Sequence, residues 1–247
     1  MDTHFQDKRV IVTGAGKGIG RNLSITLAKL GAKVIAISRT AEDLDELKLE
    51  EPSIEIHTQD ICDWNKTRAL VEDIGLVDML VNNAGVDMHK PYLECKEEDF
   101  DRIFSTNVKA AFNISQAVVK GMVENEKSGA IVNVSSIAAI SAIHSLGIYS
   151  CSKAALDMMT KSMALEFGPH KIRVNSVSPT SVMTKMGKAF YDSIPGLADA
   201  ILKRVPIGRF PEEDEVVNAI LFLLSDKAAM INGILMPVDG GHIIQFL

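Results

Sequence analysis

Cysteine is scarce in this chain. Its 247 residues include three, Cys62, Cys95 and Cys151, odd in number and far apart. They form neither a disulfide framework nor a zinc pattern, so no metal site is expected and a reducing, cytoplasmic setting fits best. Long apolar runs are missing too, and nothing approaches the ~20 residues of a membrane span. The start, Met1-Asp2-Thr3-His4-Phe5-Gln6-Asp7-Lys8-Arg9, has no charged-then-apolar leader, and no secretory signal is expected. Long basic runs are absent, and the net charge is −6, which argues against nucleic acid as a partner. With no Pro/Ser-rich linker and no internal repeat, the length suits one α/β domain spanning 1–247.

What is present is alternation. Short β-branched runs at Lys8–Thr13, Lys33–Ile37, Ile54–Thr58, Asp78–Val81, Ala130–Val134, Ile172–Val177 and Ile234–Val238 read as buried strands. Helical periodicity fills the gaps at Gly18–Leu30, Ala41–Leu49, Asp63–Ile74, Phe104–Glu124, Tyr149–Phe167 and Glu213–Leu224. Strand–helix alternation predicts a doubly wound, Rossmann-type parallel sheet of about seven strands with helices on both faces. The stretch from Met183 to Phe210 breaks the rhythm with Pro195-Gly196 and Pro206. It follows a strand's carboxyl end, where such sheets bind ligands, and is read as a flap over the site. A plain helical hairpin is the simpler alternative.

The first strand runs into Thr13-Gly14-Ala15-Gly16-Lys17-Gly18-Ile19-Gly20. Glycines let a backbone approach a pyrophosphate, and the following helix turns its N-terminus to the anion. The spacing of Gly14, Gly18 and Gly20 is G-x-x-x-G-x-G rather than the usual G-x-G-x-x-G. An NAD site wants an acid at the end of the second strand. Here that strand ends Ser38-Arg39-Thr40. A guanidinium there can pair with a 2′-phosphate, and Lys17 offers a second positive charge. The cofactor expected is therefore NADP(H), not NAD. The alternative is that Arg39 merely caps a strand on the surface.

Tyr149 and Lys153 stand four residues apart, on one face of a helix, with Ser136 upstream. A free tyrosine titrates near ~10, and bringing it to ~7 takes roughly 4 kcal/mol. One unit charge about 4 Å away supplies roughly that at an effective dielectric near ~20. An isolated Y-x-x-x-K is more often a half-exposed tyrosine beside a surface lysine, so its company decides.

That company resembles a family. T-G-x-x-x-G-x-G at Thr13–Gly20, N-N-A-G at Asn82–Gly85, Asn107, Ser136 and the Tyr149–Lys153 pair together resemble the short-chain dehydrogenase/reductases. The resemblance extends through Val238-Asp239-Gly240-Gly241. Within the family, V-T-G-A-G-K-G-I-G-R at Val12–Arg21, S-R-T at Ser38–Thr40, G-P-H-K-I-R-V-N at Gly168–Asn175 and V-V-N-A-I-L-F-L-L-S-D at Val216–Asp226 are similar to the dicarbonyl/L-xylulose reductases and related tetrameric carbonyl reductases. The resemblance implies Tyr149 as acid/base and Lys153 as the group that lowers its pKa and holds the nicotinamide ribose. It implies Ser136 on the substrate oxygen and Asn107 supporting a proton-relay water. It places Gly14, Lys17, Gly18, Ile19, Gly20, Ser38, Arg39, Thr40, Asp60, Ile61, Asn83, Ala84 and Gly85 along the nucleotide. Pro179, Val182 and Thr184 fall at its nicotinamide end. Thr180 departs from the glycine common after that proline, which puts the local backbone in question.

The reaction so implied is hydride transfer from NADPH to an α-dicarbonyl or to L-xylulose, giving xylitol. A 3-oxoacyl thioester reductase and a non-catalytic NADPH sensor are the alternatives. His144, in the apolar loop Ile137–Ile148, and Tyr191, in the flap, are substrate candidates or else a solvated loop residue and core cover. The long helices carry surplus apolar residues, among them Phe112, Ile114, Val118, Met158, Met159 and Met163. By resemblance these imply a homotetramer, a dimer of dimers; burial against the chain's own sheet uses many of the same residues.

Overall fold

The architecture is a computed structural model that describes residues 3–184, 187–188, 194 and 196–244. Its strands are β1 (Arg9–Thr13), β2 (Lys33–Ser38), β3 (Glu55–Thr58), β4 (Met79–Asn82), β5 (Gly129–Val134), β6 (Ile172–Pro179) and β7 (Leu235–Val238). They form one sheet, in the order β3-β2-β1-β4-β5-β6-β7, with every pairing parallel. The helices are α1 (Gly18–Lys29), α2 (Ala41–Glu50), α3 (Trp64–Ile74), α4 (Glu97–Phe104), α5 (Ala111–Glu124), α6 (Gly147–Phe167), α7 (Leu197–Leu202) and α8 (Glu213–Leu224).

The period-2 pattern of the strands sorts their side chains to two cores. Val10 and Val12 of β1, Val81 of β4 and Val132 of β5 pack with Leu23 and Leu27 of α1 and Val216 and Ile220 of α8. The residues between them, Ile11, Leu80 and Ile131, face Val71 of α3, Ile114 and Val118 of α5 and Met163 of α6. Both faces are covered, which is why these strands read as unbroken apolar runs.

Local signals set the helix ends. Asp63 accepts a bond from the Lys66 amide at 3.1 Å and starts α3, and Gly75, at φ 75°, stops it. Glu215 receives the Glu212 amide at 2.9 Å at the start of α8. The helix expected over Phe104–Glu124 differs in two respects. Helical structure begins earlier, at Glu97, and Ser105–Ala110 form a π-helical segment between α4 and α5. The acidic opening Glu97-Glu98-Asp99 suits a helix N-terminus, and a π-turn has no side-chain period that a sequence displays.

The chain winds outward from β1 to β3, then crosses back to β4 beside β1. The carboxyl ends of β1 and β4 therefore open a crevice at the point where strand order reverses, the place such sheets bind ligands. Of the apolar helix residues, Ile114, Val118 and Met163 are buried against the chain's own sheet. Phe112 and Met158 are 45% and 60% exposed, and Leu165 is 83% exposed. Among the described residues no helix is long and apolar enough to cross a membrane.

Candidate active site

The glycine loop sits against the end of β4. Gly14 has φ 65°, and a Cβ there would lie 2.8 Å from the Ala84 Cα. A Cβ on Gly20 would meet the Asn83 amide nitrogen at 2.3 Å and the Gly14 carbonyl at 2.4 Å. No other residue fits either position without moving the backbone. Asn83 clamps the loop rather than facing the crevice. Its Nδ2 donates to the carbonyls of Thr13 (3.0 Å) and Gly14 (3.1 Å). Thr13 Oγ1 in turn accepts the amides of Asn83 and Ala84, each at 3.1 Å.

A groove opens beside this clamp. Gly14, Ser38, Arg39, Asp60, Ile61, Ala84 and Gly85 line it, together with Ile37, Gln59, Val86 and Thr106, which the sequence did not mark. Asp60 Oδ1 accepts the Cys62 amide at 2.9 Å and so shapes the groove's far wall. Arg39 makes no hydrogen bond or ion pair among the described residues and is exposed at the groove's edge. Lys17 caps α1 without a side-chain bond to the helix, and its ammonium pairs with Asp43 of α2 at 3.2 Å. The second positive charge expected from Lys17 is thus partly neutralised by an acid from the next helix. Ile19 packs on the core under the loop, and Thr40 precedes α2 without capping it. The uncapped N-terminus of α1 and the cramped glycines suit a pyrophosphate, and the groove with its unpaired guanidinium suits a phosphorylated adenosine.

The other wall comes from β5 and α6. Ser136 follows β5, and its Oγ accepts the Ala138 amide at 3.1 Å. The Ser136 side chain also stands close enough to the Tyr149 phenol to favour its ionised form. Lys153 is 3% exposed, its Nζ donates to the Val134 carbonyl at 2.8 Å, and it lies 5.7 Å from the Tyr149 ring centroid. Burial pushes the Tyr149 phenol up to about 12, opposed by the neighbouring Ser136 hydroxyl and helped by Asp87. Burial also brings Lys153 down to about 8, opposed by Asp157 and Asp87. The expected depression of the tyrosine by the lysine is therefore not a property of the chain by itself. The ammonium is held by Val134 O, 5.7 Å from the ring centroid, and desolvation of the phenol dominates.

Asn107 stands in the π-helical segment and is fully enclosed. Its Nδ2 donates to Val86 O (2.9 Å) and to Ser152 Oγ (3.0 Å), and its Oδ1 accepts the Val86 amide (2.9 Å). One side chain thus ties the loop after β4 to α6, beside the lysine: a Cβ on Gly85 would lie 3.3 Å from Lys153 Nζ.

Two acids beside this cluster went unread in the sequence. Asp157 continues the four-residue spacing one turn beyond Lys153, buried, with Ser176 Oγ 3.1 Å from its Oδ1. That spacing was available as a signal. Asp87 has no motif to announce it. Of the remaining candidates, Pro179 ends β6 and Val182 packs on the core. Thr184 lies near the glycine loop, 3.3 Å from where a Gly18 Cβ would stand. Thr180 has no left-handed backbone. Its amide donates to Val238 O at 3.3 Å and its hydroxyl pairs with His242 Nδ1 at 2.9 Å, so this position does not need glycine. His144 is exposed on the loop before α6, bonded to Ser145 Oγ at 2.8 Å. Tyr191 lies outside the described residues, as does part of the flap.

A glycine loop after the first strand, a switch-point groove and a serine–tyrosine–lysine cluster define a dinucleotide-dependent oxidoreductase site, and the chain belongs to the short-chain dehydrogenase/reductase family. The family model that matches, over residues 14–242, is described as enoyl-(acyl carrier protein) reductase. The chain is 50% identical to an L-xylulose reductase of Homo sapiens over 241 residues, 98% of each chain. It is 46% identical to carbonyl reductase [NADPH] 2 of Sus scrofa, covering 98% of this chain and 99% of that one. It is also similar to the solved gluconate 5-dehydrogenase of Burkholderia cenocepacia in complex with NADP and tartrate. There the identity is 29%, the TM-score 0.91 and the coverage 99% of both chains.

Proposed function

We propose that the chain is an NADPH-dependent carbonyl reductase acting on small α-dicarbonyls and on L-xylulose, which it converts to xylitol. One observation carries the reading: the Tyr149 ring, with Ser136 at its phenol, stands beside a buried Lys153 whose ammonium is held by Val134 O at the carboxyl edge of the sheet. The relatives named L-xylulose reductase and carbonyl reductase [NADPH] 2 support the substrate class and the cofactor. Arg39, unpaired among the described residues at the groove's edge, is the group for a 2′-phosphate, and Gly14, Gly18 and Gly20 with the α1 N-terminus would hold the pyrophosphate. Bound NADPH supplies the hydride.

The chain's own groups handle the oxygen and the proton. Ser136 and Tyr149 present hydroxyls to a carbonyl oxygen on which negative charge grows. Burial keeps Tyr149 neutral, so its proton is in place for transfer to that oxygen as general acid. Lys153, a cation in a low-dielectric setting, stabilises the negative charge left behind. Both amide protons of Asn107 are engaged by Val86 and Ser152. Its support of a relay water therefore falls to the backbone of its π-helical segment, where hydrogen bonding is irregular.

A single domain, in a reducing cytoplasmic setting, suits the three unpaired cysteines. The exposed stripe of Phe112, Met158 and Leu165 supports pairing of α5 and α6 between copies, in a dimer of dimers. A sedimentation mass near one chain contradicts that assembly. The activity is tested by following NADPH and NADH oxidation with diacetyl, L-xylulose and an acetoacetyl thioester. Turnover of the first two with NADPH is expected. Preference for the thioester, or tight NADPH binding with no turnover of any carbonyl, overturns the reading.

A further inference from the structure

Asp87 is an exposed carboxylate one residue beyond the Asn107 clamp. The clamp fixes its place. Val86 is bonded in both directions to Asn107, and two residues back Gly85 lies against Lys153 Nζ. Arg102 does not neutralise it, since its Nη2 reaches the Asp87 carbonyl (3.4 Å) and not the side chain. Lys90, the next cation along the loop, is held by Asp99 at 2.6 Å. Among the described residues the Asp87 carboxylate makes no hydrogen bond or ion pair.

We propose that Asp87 is a specificity-determining residue that excludes anionic carbonyl substrates and restricts the site to neutral ones. The inference rests on the carbonyl-reductase reading and names the substrate class of that same site. Asp87 follows Gly85, which lies against Lys153 Nζ, and Val86, which Asn107 holds on both sides, so its charge stands beside the reacting pair and raises the proton affinity of Tyr149 and of Lys153. A carbonyl compound placed against that pair is exposed to the same field. A second negative charge on the substrate therefore meets repulsion, while the hydroxyls of a sugar meet an acceptor. Two unit charges about 7 Å apart at an effective dielectric near ~40 interact strongly enough to change a rate constant by roughly tenfold. Asp157 also faces Lys153, but it is buried behind the lysine on α6, and Ser176 bonds it there.

Diacetyl and pyruvate are near-isosteric and differ in charge. In Asp87→Asn the ratio of kcat/KM for pyruvate to that for diacetyl should rise roughly tenfold. Asp87→Glu, which keeps the charge, should hold the ratio near that of the unaltered protein. The unaltered protein's discrimination should shrink as salt is raised, because an exposed charge is screened. An unchanged ratio in Asp87→Asn overturns the inference and leaves the carbonyl-reductase reading standing. A second readout needs no turnover: the Lys153 titration, followed by NMR of Cε-labelled protein, should move to lower pH in Asp87→Asn. If it stays in place the inference fails even where no carbonyl is reduced.

Discussion

Replacing Lys153 by methionine should make the protein more stable and inactive at once. Lys153 is almost wholly enclosed and has no carboxylate within salt-bridge distance among the described residues. Burial brings it from the ordinary 10.5 to about 8. At about 1.4 kcal/mol per pH unit, that displacement corresponds to about 3 kcal/mol of folding stability. The sign follows from proton binding. Below pH ~8 folded and unfolded chains both carry the proton, and the folded one bears the full burial penalty. Between about 8 and 10.5 the folded chain has released the proton and the unfolded chain has not, so stability climbs with pH. Methionine removes the penalty and forfeits the bond to Val134 O, a loss of about 1 kcal/mol. The net gain is about 2 kcal/mol at neutral pH, or roughly 5 °C in Tm for a chain of this size. The assay is thermal or urea unfolding of both proteins without nucleotide, at one protein concentration, from pH 7 to 10.5, with NADPH-dependent reduction measured in parallel. The advantage of Lys153→Met should fade as pH rises through that window. A less stable Lys153→Met at pH 7, or a difference independent of pH, refutes the reasoning.

Other expectations can be checked one variant at a time. Tyr149→Phe should lower kcat by roughly 10²–10⁴, the usual contribution of a positioned proton donor, while the NADPH Kd, read by fluorescence, stays little changed. Arg39→Asp should reverse the cofactor preference. A charge-assisted bond is worth about 1.5–3 kcal/mol, so KM for NADPH should rise roughly ten- to hundredfold while NADH is favoured. Asn107→Ala leaves the Val86 amide and carbonyl without their partner. It should cost about 2–4 kcal/mol in unfolding experiments and loosen the loop that carries Asp87. Gly20→Ala sets a methyl group against Asn83 and Gly14. It should abolish nucleotide binding by calorimetry while far-UV circular dichroism persists.

Much of this molecule is legible in the sequence because the interactions that announce it are short-range. The residues that alternate along β1, β4 and β5 are those that sort to the two cores, and α8 spans Glu213–Leu224 as its periodicity predicts. The pairing of Tyr149 with Lys153 follows from helical spacing, and the pairing of Gly14 and Gly20 with the end of β4 from the cramped turn they build. Tertiary structure decided what depends on desolvation and on elements distant along the chain. Asn83 clamps the glycine loop across 69 and 70 residues. Asp43 meets Lys17 from the next helix, and Asn107 joins a loop to α6 from inside a π-turn. The direction in which Tyr149 and Lys153 shift belongs there too. Spacing places an ammonium near a phenol, but only the fold encloses Lys153, draws the half-buried Tyr149 out of water, and brings Asp87 within reach of both and Asp157 within reach of the lysine. Proximity is written in the sequence, whereas the dielectric around it is made by folding.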